Sequence, residues 1–116
     1  MIPTIPTPAQ LKKVFLDSGF EVRHFPQRTL EQLALDAPTE VKRHKHSDIY
    51  GLIMPDEYTI GIAKELDKGE QLTTLVHELI HLYDDQIPED EVEEIALSLE
   101  DNFTPEQRGF FEFLAA

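Results

Sequence analysis

The sequence contains no cysteine among its 116 residues. Disulfide staples, thiolate catalysis and cysteine-ligated metals are therefore excluded, and any transition-metal site must draw on His, Asp and Glu. There is no apolar run long enough to span a bilayer. The opening "MIPTIPTPAQ" lacks the charged and apolar regions of a signal peptide. Together these absences lead to the expectation of a soluble, cytoplasmic protein. Basic residues are scarce as well: ten Lys and Arg stand against 23 Asp and Glu, a net charge of −13. From residue 69 to residue 107 there is no Lys or Arg at all, while twelve of the acidic residues fall there. A phosphate backbone or anionic membrane would be repelled, so neither nucleic acid nor membrane is an expected partner. The acidic stretch is either a solvated face or a region that attracts cations.

The length suits one compact domain over residues 1–116, with the proline-rich residues 1–7 as an extended arm. Thr7 is placed to cap a helix that opens at Pro8 and closes at Gly19. "FEVRHF" alternates as a short strand, and "TLEQLALDAP" reads as a second helix stopped by Pro38. A polar loop, "TEVKRHKHSD", carries the main basic cluster. "IYGLIMP" and "YTIGIA" read as a hairpin. "ELDKGEQ" then reads as a turn, and a helix runs from about Gln71 to about Tyr83. Pro88 is placed to open a further helix through "EVEEIALSLEDNF". Thr104 and Pro105 open the last one, with Phe110, Phe111 and Leu114 as its docking face. This order predicts an α+β fold, a small antiparallel sheet with helices packed on one side.

The chemistry lies in "HELIH", residues 77 to 81. One helical turn separates His77 from His81, so both imidazoles project to one side and can grip a metal ion. On a helical wheel Leu72, Leu75, Val76, Leu79 and Tyr83 share the core-facing side. His77 and His81 fall opposite it, with Glu78 and Thr74 also off the core side. Buried structural histidines would fall among the leucines. Zinc lowers the pKa of a bound water towards ~7, and Glu78, beside the first histidine, is placed to take its proton as general base. The competing reading is an acidic helix with two surface histidines.

Catalytic zinc normally has three protein ligands and an open position. No histidine follows His81, so a downstream ligand must be a carboxylate. Taking Val92, Ile95, Ala96 and Leu99 as the apolar face of the next helix puts Glu91 at one edge and Glu93 at the other, with Glu94 pointing away. Glu91 ranks first and Glu93 second. Asp84, three residues after His81, suits either a partner that orients an imidazole or a helix-end turn. Asp84, Asp85, Glu89 and Asp90 do not match an EF-hand loop.

"TTLVHELIH" followed by "EVEEIA" at residues 91 to 96 resembles the gluzincin class of zinc peptidases. The most similar in style are its very small members, the minimal gluzincins and the ImmA/IrrE-like metallopeptidases. The resemblance covers roughly residues 48 to 99. It implies a zincin-like fold, in which a sheet packs against an active-site helix and a glutamate helix. It also implies a zinc ion (Zn2+) held by His77, His81 and Glu91. "YTIGIA" would border the cleft, with backbone groups free to pair with an extended peptide substrate. Transition-state charge would need a further donor, for which Tyr50, Tyr58, Tyr83, His24, His44 and His46 are the candidates.

The leading functional expectation is a zinc metalloendopeptidase acting on a protein or peptide, narrow in specificity or latent. The proline-rich arm or the "FFEFLAA" tail would then be candidates to occupy the cleft. Two alternatives are a non-catalytic zinc-binding interaction domain, in which Glu78 is redundant, and an acidic DNA mimic that binds a basic protein.

Overall fold

Helix α1, Pro8–Ser18, starts at a reciprocal cap: the Thr7 hydroxyl accepts from the Gln10 amide while the Gln10 side chain accepts from that of Thr7. Gly19, at φ 77°, ends it in the left-handed conformation. The computed structural model describes residues 5–36 and 50–116. Strand β1, Glu21–Phe25, and helix α2, Gln27–Asp36, follow. The basic loop read at residues 39–48, with His44 and His46, lies outside the described residues.

Strands β2, Gly51–Met54, and β3, Thr59–Ala63, pair antiparallel across a 3-10 turn at Pro55–Glu57, which bears out the hairpin. The sheet as a whole departs from expectation. Its order is β1-β3-β2, and β1 pairs with β3 in parallel, from Glu21 with Thr59 to Phe25 with Ala63. The sheet is thus mixed, not antiparallel. The chain leaves β1 through α2 rather than a tight turn, and such a connection lets a later strand return in parallel. As the central strand, β3 has its backbone engaged on both sides. "YTIGIA" therefore cannot offer a free edge to a peptide.

The helices also sit on both faces of the sheet rather than on one. Side chains alternate along a strand, and β3 shows it plainly. Ile60 and Ile62 join the larger core with Leu72, Leu75, Val76 and Leu79. Ala63 instead joins a smaller core with Leu30 and Ala34 of α2 and Leu52 of β2.

Helix α3, Lys68–Tyr83, occupies the middle of the larger core and contacts α1, α5, both hairpin strands and the helix that follows it. It begins three residues before Gln71 because Asp67 and Glu70 form another reciprocal cap. Helix α4, Glu89–Asp101, starts directly after Pro88, and helix α5, Pro105–Ala115, after Thr104. Phe111 is fully buried, stacked on Phe103 at 4.9 Å between ring centres. The His24 Nε2 of β1 lies 2.6 Å from the Ala115 carbonyl. The "FFEFLAA" tail is thus part of the core and no plug for a cleft. Among the described residues, no helix is long and apolar enough to cross a membrane.

Candidate metal centre

The apolar side of α3 packs as its periodicity predicts, with Leu72, Leu75, Val76 and Leu79 buried. Its polar side is not left in solvent. Glu78 is 2% exposed and His81 3%. Two elements provide the cover: β2 lies against Thr74 and Glu78, and the start of α4 lies against His77 and His81.

Glu89, the first residue of α4, completes the cluster. Its Oε1 lies 2.5 Å from the His77 Nε2 and its Oε2 2.9 Å from the His81 Nε2. The two imidazole nitrogens are 3.2 Å apart. The third member of the group is therefore Glu89, not Glu91, which stands exposed together with Glu93 and Glu94. The buried stripe of α4 explains the difference. It consists of Val92, Ala96 and Leu99, with Ile95 only partly buried. Glu89 precedes Val92 by three residues and Ala96 by seven, which is the helical repeat of one face. Weighting Ile95 equally turns the inferred face towards Glu91 by only about 20°, which still leaves Glu89 the nearer of the two. Glu93, one turn after Glu89, adds its negative charge to the field at His77.

The group formed by His77, His81 and Glu89 can hold a metal ion. Three potential ligand atoms converge, and a cation at their centre would reconcile them. If each Nε2 carried a proton towards Glu89, two N–H groups would meet head on at 3.2 Å. If neither did, two lone pairs and a carboxylate would repel one another. A cation at the centre receives all the lone pairs at once. A tetrahedral zinc shell with bonds of about 2.0–2.1 Å separates neighbouring ligand atoms by roughly 3.3 Å; the two nitrogens stand at that spacing, while the Glu89 oxygens lie nearer, at hydrogen-bond distance.

Protonation answers the same need when no cation is bound. Burial opposes a charge on His77, but the hydrogen bond to Glu89 and the charges of Glu78, Glu89 and Glu93 outweigh it, raising the pKa above the ordinary 6.5. Burial likewise works against the Glu89 carboxylate, yet the bonds to His77 and His81 hold its pKa far below the usual 4.5. The signs fix a pH window. Glu89 contributes stability present above its unfolded pKa of about 4.5 and lost as pH falls through the lowered folded value. His77 contributes stability present below about 6.5 and lost as pH rises through its raised folded value. Chelator-treated protein should therefore be most stable between about pH 4.5 and 6.5. Metal should move that maximum upward, because binding requires neutral imidazoles. Thermal denaturation across pH, with and without zinc, checks both statements; superimposable profiles would refute them.

Glu78 owes its position to Gly51. A Cβ on Gly51 would lie 2.6 Å from the Thr74 Cγ2 and 2.8 Å from the Glu78 Oε2. Only a residue without a side chain lets β2 come this close to the helix. Gly51→Ala should cost about 1–3 kcal/mol of stability and displace the Glu78 carboxylate. An unchanged unfolding midpoint would show that the contact yields freely.

The remaining candidates are dispersed. Asp84 closes α3: its amide donates to the Ile80 carbonyl and its Oδ1 accepts from the Gln86 amide, as a helix-end residue does. Tyr50 is exposed, and Tyr58 stands against Phe20 at 5.5 Å between ring centres. Tyr83 lines a cavity together with His81. Compared with models of known protein families, with curated proteins and with solved structures, the chain matches none.

Proposed function

We propose that this protein is a small zincin-like metallopeptidase of the gluzincin kind, with zinc held by His77, His81 and Glu89 and with Glu78 as general base. The observation that carries the reading is the convergence of two imidazole nitrogens and a carboxylate from the next helix, one residue from a second, enclosed carboxylate. Two nitrogens and an oxygen, with no sulfur, form a donor set suited to zinc, and three ligands leave a fourth position open. When bound, zinc supplies Lewis acidity and lowers the pKa of water towards ~7. Glu78, on the same helical turn, accepts the proton and returns it to the leaving amine. Its enclosure by β2 limits its motion and keeps bulk water away.

The substrate on this reading is an extended peptide. β3 is closed to pairing, but β2 lies at an end of the β1-β3-β2 order and runs beside Glu78. Among the described residues, its outer backbone groups are the ones placed to receive a peptide strand.

Metal analysis of the purified chain, paired with mass spectrometry of a pooled peptide library, tests the proposal. One zinc per chain is expected, with cleavage that stops on chelation and returns with added zinc. One zinc per chain without cleavage would overturn the catalytic reading in favour of a metal-binding interaction domain.

A further inference from the structure

A cavity of about 430 Å³ opens beside His81 at the C-terminal end of α3. Its walls are Phe20, Ile53, Pro55 and Leu82 with Tyr83, and Asp84 and Asp85 complete the lining. The volume falls in the range of small-molecule sites and accommodates one large side chain. Its composition is unusual for a purely apolar pocket, because two aromatic rings and two carboxylates share one opening.

Three features give this cavity the same electrostatic sign. Asp84 and Asp85 bring negative charge, and one oxygen of each accepts a hydrogen bond from Gln86. The last turn of α3 adds the negative end of the helix dipole. No Lys or Arg lies between Lys68 and Arg108, the stretch that contributes His81 to Asp85, and Arg23, three residues after Phe20, holds its guanidinium over the Phe25 ring. Phe20 and Tyr83 add two aromatic rings to the walls, a side-chain type that attracts cations over neutral groups. Ile53, Pro55 and Leu82 suit a methylene stem.

We propose that this cavity is the specificity pocket for a lysine or arginine side chain of the peptide substrate, its stem against Ile53, Pro55 and Leu82 and its charged tip at Asp84 and Asp85. The proposal rests on the peptidase reading, because His81 joins the cavity wall to the metal group. A basic residue seated here would set its neighbouring peptide bond close to the metal.

The pocket can be tested without catalysis. N-acetyl-lysine amide and its uncharged counterpart N-acetyl-norleucine amide are titrated into the full chain, metal-free and zinc-loaded, and followed by NMR. The lysine compound should shift Phe20, Ile53 and Tyr83 saturably and bind at least about fivefold more tightly. Asp84→Asn with Asp85→Asn should remove the preference; each asparagine keeps the oxygen that accepts from Gln86, so the turn is retained. Equal or tighter binding of norleucine, or shifts confined to other residues, would overturn the pocket. Cleavage of library peptides without enrichment of Lys or Arg beside the cut would also overturn it while leaving the peptidase intact. Lysine binding without any cleavage would instead sink the peptidase and leave a cation-selective cavity.

Discussion

Replacing Glu89 with glutamine should weaken zinc binding by roughly 100-fold or more, since disturbing even a residue that merely orients a ligand commonly costs 10–100-fold. The amide keeps the shape but loses the charge that offsets the cation, and its NH2 group would confront imidazole nitrogens 2.5–2.9 Å from the present oxygens. Glu91→Gln should leave affinity within about twofold, and Glu93→Gln, whose charge reaches His77 from an exposed position, within about threefold. Competition against a chromophoric chelator at constant pH measures all three. A large loss from Glu91→Gln with Glu89→Gln near wild type would move the third ligand back to Glu91. The comparison has a built-in control, because all three substitutions remove one negative charge from the same helix.

These glutamates also show how far the sequence could be read. Capping pairs were legible because they are local: Thr7 and Thr104 begin helices where side-chain chemistry requires it. Asp67 and Glu70 carry the same signal, but Gly69 between them makes the segment resemble a turn. The hairpin was legible for the same local reason. The parallel partner of β3 was not, because nothing in β1 records which later strand will return beside it after α2. His77 and His81 were fixed by the periodicity of one helix. Glu89 depended on where a second helix begins, which the local sequence marks only by Pro88. Ile95 looks like core by composition, yet Val92, Ala96 and Leu99 set the packing. The signal was present in the spacing of Glu89 from Val92 and Ala96, and becomes visible once the helix is started at Glu89, directly after Pro88, rather than at Glu91. The cover over Glu78 is a further case. It comes from Gly51, whose closeness to α3 exists only once the sheet has formed.

Glu78→Gln is the substitution that separates chemistry from architecture. Peptide hydrolysis should fall by about 10²–10⁴-fold, the usual worth of a positioned proton-transfer group. Zinc affinity should stay close to wild type, because Glu78 is not among the three atoms that converge. Stability should stay within about 1 kcal/mol of wild type, since the amide fills the same enclosed space without carrying a charge into it, while the attraction of Glu78 for His77 is lost. This combination of lost turnover, retained metal and near-native stability has no structural explanation. A carboxylate kept at 2% exposure against a strand that only glycine allows so near makes sense if the position serves a reaction. Single-turnover cleavage, zinc competition and thermal denaturation on one preparation provide the three readings. Should the variant cut at the wild-type rate, Glu78 would be packing material and the general base would lie elsewhere. Should zinc binding fall in step with cleavage, Glu78 would act by holding the metal group rather than by moving a proton.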